Sequence, residues 1–448
     1  MIFKLLVYSL LAITVSACTS LKVEKISPIK KAIIEQTPQR ALKNLKSESY
    51  SSSDIVLYYL EKGSLLKMAG RHDESIKAFE SAKIRIDELY TTSISKSIGS
   101  VLINDTVSDY EGDAFESAML HVYQALTYLA QGELENAGVI ARQLDVKLTE
   151  LAEKKRNSPS SVYKCDPFAN YLSGIIFERL KDWSSARITY EKAYQCYKNG
   201  IYKTSIPQQV KLSLLRAAKE SGAGRLYRQY KKEFNLGNDS PLASEDEELI
   251  FVLDEGFIAP KVESSLAVTV NSQNKLRQLK ISLPQIAKFN PHLVTSVRIK
   301  VKDRLFFAEK VHDLDSAKRA SLEERLPAIK ARTIARAIKN QSIQNNAEQS
   351  GGFLAQFGSL ILTQFLEKAD LRAWDSLPHT VWMSRLKLKK GTYDLNIELL
   401  DKSGAILTKR KYKKVKIGSK LNKNIYMRWA TTWPYQYRKK SNVFLPLL

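Results

Sequence analysis

The sequence predicts an α+β protein whose helices come first and whose strands come last, and three observations carry that reading. From Asp54 to about residue 240, apolar residues recur at helical spacing with small residues at fixed offsets. After Pro241 the pattern changes to short apolar runs separated by turn residues, which is how strands read. A helical stretch at about 315–372 interrupts those runs. The 448 residues therefore divide into 1–17, 18–53, 54–240 and 241–448.

Residues 1–17 carry Lys4, an apolar run from Leu5 to Val15 and then small residues. This is the form of a secretory signal peptide, too short for a membrane span. Its end, Val15-Ser16-Ala17-Cys18, resembles the lipobox of bacterial lipoproteins. The resemblance implies cleavage before Cys18 and a lipid on that cysteine, whose acyl chains each gain about 0.8 kcal/mol per buried methylene. Thr19 stands where lipoproteins kept at the inner membrane carry Asp, so the resemblance implies the outer membrane, with the protein facing the periplasm. Residues 18–53, with Pro28 and Pro38, read as a tether containing a short helix over 41–46.

The helical segment is anchored on residues 166–199. There Gly174, Phe177, Ala186, Tyr190 and Ala193 take the offsets of a tetratricopeptide unit, small residues standing where two antiparallel helices touch. Gly174 and Ala186 are expected to face each other. Gly63, Leu66, Gly70, Phe79 and Ala82 repeat the offsets of Gly174, Phe177, Lys181, Tyr190 and Ala193. Ala125, Tyr128, Gly132, Ala137 and Ala141 repeat them again, and Leu215, Ala218 and Gly222 do so more weakly. Gly70 occupies a turn, where a left-handed residue ends the first helix. The copies lie farther apart than the ~34 residues of a plain array, and the largest insertion is Thr91–Asp113. Cys165 and Cys196 stand at neighbouring ends of the best hairpin. In an oxidising compartment they are a candidate disulfide, the alternative being two unrelated buried thiols.

Candidate strands follow at 249–253, 266–270, 278–283, 294–301, 305–311, 381–388, 393–400, 405–417 and 424–429, with turns at Lys390-Gly391 and Asp401–Gly404. The expected architecture is a β-sandwich-like domain with a helical insertion. Pro327 is expected to kink or end one inserted helix, and Phe353–Leu366 reads as a buried helix too short to span a bilayer. The lipobox, the interrupted repeats, Gly256–Lys261, Ala331–Ala337 and above all Asp370, Arg372, Trp374, Leu377 and Pro378 resemble a family of uncharacterised proteobacterial lipoproteins. Its signature is Asp-x-Arg-x-Trp-x-x-Leu-Pro, and the resemblance covers most of the mature chain. The family brings no activity. Its likeness to neighbours of penicillin-binding-protein activators implies a link to wall synthesis. Asp370 and Arg372 read either as a recognition pair or as an ion pair pinning the insertion to the sandwich.

No Gly-rich phosphate loop, nucleophile elbow or His-Glu-x-x-His occurs, and the five histidines are scattered, so no enzyme, cofactor or metal is expected. Asp313 with Asp315, and Glu323 with Glu324, read as helix-start charges. The net charge of +23 gathers at the end: residues 379–448 hold seventeen basic residues against three acidic. In an exported protein that excess points away from nucleic acid and towards anionic lipid, lipopolysaccharide phosphate or peptidoglycan carboxylates, with Lys387, Lys389, Lys411 and Lys413 as candidate contacts. The expected function is an outer-membrane-anchored periplasmic scaffold in cell-envelope biogenesis, peptidoglycan included, whose helical groove holds an envelope protein. The alternative is a module that binds an anionic envelope polymer or lipid through the basic carboxy-terminal domain.

Overall fold

The computed structural model describes residues 27–35, 37–95, 108–154, 166–199, 204–236, 247–272, 275–287, 293–350, 368–418 and 424–430. Cys18, Cys165 and the segment Phe353–Leu366 lie outside them. Within the expected tether, α1 (Pro28–Ile34) and α2 (Pro38–Asn44) bury Ala32, Ile33, Ile34 and Ala41 against Leu65, Met68 and Ala430. The chain is thus docked from residue 28 onward, because these helices carry an apolar face that the tether reading overlooked.

Eight further helices form four antiparallel pairs: α3 (Ile55–Met68) with α4 (His72–Ser95), α5 (Ala114–Ala130) with α6 (Leu134–Lys154), α7 (Pro167–Arg179) with α8 (Trp183–Lys198), and α9 (Gln208–Glu220) with α10 (Gly224–Glu233). Gly70, Gly132, Lys181 and Gly222 hold the same left-handed position in the four turns. Each is followed by a residue whose N–H reaches back to the first helix, as in Arg71 to Leu66 at 2.9 Å and Asp182 to Phe177 at 3.0 Å. Lys181 takes this conformation at φ 64° despite its Cβ.

Close approach within the pairs follows a rule of sizes. The rings of Phe79 and Tyr190 lie over Gly63 and Gly174, and a Cβ on Gly63 would stand 2.6 Å from the Phe79 ring. At the same interval the second pair has Ala125 and Ala141, small against small. The sequence paired Gly174 with Ala186, but what stands closest over Gly174 is Tyr190. Ala82, Ala125, Ala137, Ala186 and Ala193 are all buried in the pairs.

The strands are β1 (Glu247–Glu255), β2 (Lys261–Ser272), β3 (Lys275–Ile286), β4 (Ser296–Val301), β5 (Arg304–Asp313), β6 (Thr380–Leu388), β7 (Gly391–Leu400), β8 (Ile406–Ile417) and β9 (Asn424–Trp429). Seven make one sheet in the order β8-β7-β4-β5-β6-β1-β9, antiparallel except for β1 beside β9, while β2 and β3 form a separate hairpin. This corrects the expected sandwich. Among the described residues no second sheet faces this one, and the sheet curls: Phe251 of β1, Ile299 of β4, Ile397 of β7 and Met427 of β9 share one core, and Tyr412 of β8 packs on it. The opposite, outer face of β1 carries Ile250 and Val252 into the core of the helix pairs. Both faces of β1 are therefore buried, which is why its sequence is a continuous apolar run.

Between the adjacent strands β5 and β6 runs α11 (Leu314–Ser350), which continues through Pro327. It packs Ile329 and Ala337 on Ile281 and Leu283 of the hairpin. Of the kink or end expected at Pro327, the end does not occur.

Candidate functional site

The first helices of the pairs form a continuous face, and on it lies the chain's own sheet. The signature segment crosses this face as a strap. Arg372 reaches both carboxylate oxygens of Asp370 at 2.9 Å, and its Nη1 donates to Asp54 and to the Ser108 carbonyl, each at 2.9 Å. Ser108 belongs to the far end of the large insertion, so that insertion meets the strap. Two residues on, Trp374 is fully buried between the rings of Phe79 and Tyr123, with its backbone N–H donating to Glu116 at 2.8 Å. Leu377 and Pro378 are buried, and the Leu377 carbonyl accepts from Ile258 at 2.9 Å. Beside the strap, Asp113 meets Lys261 at 3.1 Å and Arg325. Burial opposes ionisation there, but these two cations hold the Asp113 carboxyl at about 2. Asp370 and Arg372 form an internal pin, but it ties the strap to Asp54 and Ser108 of the helical region and not, as the sequence reading had it, the insertion to the sheet.

The third and fourth pairs receive β5 and β6. Arg385 inserts between Glu178 of α7 and Glu248 of β1, at 2.9 and 2.8 Å, and also donates to Ser213 at 2.7 Å. The Tyr190 hydroxyl donates to Glu178 at 2.5 Å, so the ring over Gly174 also serves the ion cluster. Burial works against ionised Glu178 and Glu248, yet Arg385 holds both below the usual carboxylate range. Asp166 meets His312 at 2.9 Å, and Glu309 accepts from the N–H groups that open α9. Arg179 donates to Asn424 at 2.9 Å, tying in β9.

Between these contacts lies a seam of buried titratable groups. Tyr123 and Tyr426 both donate to Asp254, at 2.7 and 2.5 Å, and the Lys67 ammonium rests over both rings. Burial draws Lys67 down to about 7, against the pull of Asp254. Burial also pushes Glu61 up to about 7 and Glu255 up to about 8, the latter despite Arg428. Among the described residues Lys67 Nζ, Glu61 Oε2 and Glu255 Oε2 find no hydrogen-bond partner. The seam is closed between helix and sheet, a joint rather than a cleft.

Past the helices the same outer face is open. On β4, β7 and β8 it carries Arg298, Lys300, Glu398, Lys409 and Lys411, with Glu398 bonded to Arg298 at 2.6 Å, Lys300 at 3.4 Å and Lys409 at 3.7 Å. Burial opposes it, but hydrogen bonds from Arg298 and Lys300 hold the Glu398 carboxyl below its usual range. The four candidate lysines divide. Lys387 bonds Glu248 at 3.2 Å and Lys411 bonds Asp394 at 3.0 Å, while Lys389 and Lys413 are exposed. Three strands separate β6 from β8, so the four do not form one cluster. Cys196 is disulfide-bonded. Among the described residues no group of His, Cys, Asp and Glu could hold a metal, and no helix is long and apolar enough to cross a membrane. Sequence reasoning missed Lys67, Glu116 and Glu178, and read Arg385 as one of a basic row with Lys387 and Lys389 and Glu248 as part of an acidic run, where the structure buries the two together. A charge placed inside an apolar helix stripe, as Glu178 is after Ile175, Ile176 and Phe177, was the available signal.

No family model and no curated protein matches the chain. Solved structures resemble it faintly. MamA MSR-1 C2 shares 12% identity at a TM-score of 0.26, over 46% of this chain and 89% of that one. BtubC (BKLC) from P. vanneervenii shares 16% at 0.29, over 48% and 78%. Neither score is high enough to carry an argument, so function must be read from the chain's own contacts.

Proposed function

We propose that the protein is a non-catalytic interaction scaffold of the bacterial outer membrane, held there by a lipid on Cys18. In it a tetratricopeptide-like array cradles the chain's own sheet, and partners dock outside the cradle. One observation carries the reading: the first-helix face, where the sequence would seat a partner, is filled in cis by the strap and by β1, β5, β6 and β9. Extended faces of helical repeats are binding surfaces, and here that capacity is spent within the chain. The second helices instead present Ile84, Val139, Val146 and Ile188 to solvent.

The test is photo-crosslinking in cells, with the reactive residue placed at Val139 or Val146 and, separately, at Tyr123. Outer positions should capture another protein and Tyr123 should crosslink only within the chain. Capture at Tyr123 alone would return the partner to the groove and end this reading. Cys18→Ala should yield an uncleaved or soluble form; unchanged fractionation with the outer membrane would remove the anchor.

A second reading, binding of an anionic envelope polymer or lipid, draws on the exposed lysines 409, 411, 413, 414 and 416 of the outermost strand β8.

A further inference from the structure

We propose that the uncovered part of the sheet's outer face is a membrane-apposed surface, which lies on the phosphate headgroups of an anionic phospholipid bilayer and places Leu305 and Phe307 among them. The inference rests on the second reading above and narrows it to one partner.

The strand register builds the surface in two rows. In one, Phe307 of β5 pairs with Arg298 of β4, which pairs with Glu398 of β7, which pairs with Lys409 of β8. In the next, Leu305 pairs with Lys300, Lys300 with Asn396 and Asn396 with Lys411. Leu305 and Phe307 point the same way, two residues apart on one strand, and are 49% and 53% exposed. An exposed Leu by itself is ordinary. Two large apolar side chains abreast, at the border of a cationic lattice, are not. The lattice holds Arg298, Lys300, Lys409, Lys411 and the exposed Lys413 against Glu398 and Asp394, so it stays positive after its internal pairs are counted.

Lysines on an edge strand can serve only to discourage strand addition. That purpose would need β8 alone. It accounts neither for Arg298 and Lys300 on an interior strand nor for the bare Leu305 and Phe307. A wall polysaccharide would meet the charges but give the two apolar side chains no place to go, whereas the headgroup layer of a bilayer accepts both. The ten residues from Cys18 to Ser27 span at most roughly 35 Å, so a lipid on Cys18 would keep the folded body close to a bilayer.

The test uses the whole mature chain from Thr19, without lipid, in sedimentation with phosphatidylglycerol-rich vesicles and with purely zwitterionic ones. Binding to the anionic vesicles alone, weakened by salt, is expected. Lys409→Gln, Lys411→Gln and Lys413→Gln together leave Glu398 its bonds to Arg298 and Lys300, and should weaken binding about ten-fold to a hundred-fold. Leu305→Ser with Phe307→Ser should weaken it about ten-fold or more without altering the melting temperature, since both side chains are exposed. Lys219→Gln, Arg225→Gln and Arg228→Gln, the same charge removed from the helices, should leave binding unchanged. Equal loss in that control would reduce the effect to net charge and overturn the proposal. Binding to peptidoglycan sacculi that falls with the β8 variant but ignores Leu305 and Phe307 would keep the broader polyanion reading and overturn this one. Self-association in the absence of vesicles, abolished by the apolar variant, would assign the surface to a second copy instead.

Discussion

Where β1, β6 and β9 meet the helices, the outer face of the sheet carries Ile250, Val252, Val381, Met383 and Tyr426, and its charges are enclosed with their counter-ions. Where β4, β7 and β8 carry the same face past the helices, it carries Arg298, Lys300, Glu398, Lys409 and Lys411. The border passes between two residues of one strand. Arg385 and Lys387 both bond Glu248, yet the first side chain is 8% exposed and the second 30%. The difference teaches that the same ion pair has opposite meanings on the two sides. Enclosed, it must be complete, because either partner left alone is a buried charge. In water it adds little.

The sharpest way to break this comparison is Arg385→Ala, which takes the buried cation from between Glu178 and Glu248 and leaves them only the partly exposed Arg216 and Lys387. A loss of about 3–5 kcal/mol in chemical denaturation is expected; a loss under about 1 kcal/mol would place the cluster in water. Next comes the seam. The raised Glu255 and Glu61 contribute stability that is full below the unfolded carboxylate value near 4.5 and is lost as pH rises through about 7 to 8. The lowered Lys67 works the other way, contributing stability above about 10.5 that is lost as pH falls through about 7. Glu255→Gln should therefore gain on wild type between pH 5 and 8, by on the order of a few kcal/mol. Parallel stability curves for the two proteins would show that Glu255 does not titrate in the fold.

Smaller effects test the cradle. Gly174→Ala drives a Cβ into the Tyr190 ring and should cost about 1–3 kcal/mol. Because Tyr190 also serves Glu178, the loss should shrink when Arg385 is already Ala, and additive losses would uncouple packing from the ion cluster. Lys181→Gly relieves a side chain at positive φ and should stabilise by about 1 kcal/mol, read as a higher melting temperature. Last, Lys411→Gln on the open side should change stability by less than about 0.5 kcal/mol. A loss like that of Arg385→Ala would erase the distinction between the two sides.

The helix pairs were legible because close approach demands small residues at fixed intervals, and even Lys181 fell on the turn position of Gly70 in the aligned offsets. Strands were legible from their apolar runs and turns. What covers the second face of β1 was not. A strand buried on both sides reads Leu249-Ile250-Phe251-Val252-Leu253 whether a second sheet or a row of helices lies against it. The sandwich reading chose the wrong cover. Arg385 was equally opaque. It alternates with Lys387 and Lys389 as a solvated strand would, and partners as remote as Glu178, 207 residues away, show that its side of the strand is closed. The rows pairing Leu305 with Lys300 and Phe307 with Arg298 depend on strand order, which no local pattern contains.

The strap has a consequence for how the molecule is made. Arg372 lies 318 residues from its partner Asp54, and Trp374 lies 258 from Glu116. A chain that emerges from its amino terminus presents the helix pairs first, with the slots for Trp374 and Arg385 still open. β1 then waits for both its neighbours, since β6 and β9 are among the last segments to arrive. Contacts this remote close slowly, and apolar surface exposed meanwhile invites aggregation. During synthesis the amino-terminal portion is thus a template without its filling, and a chain cut short before β6 leaves that template permanently bare. The strap and the late strands are the parts whose arrival closes that surface.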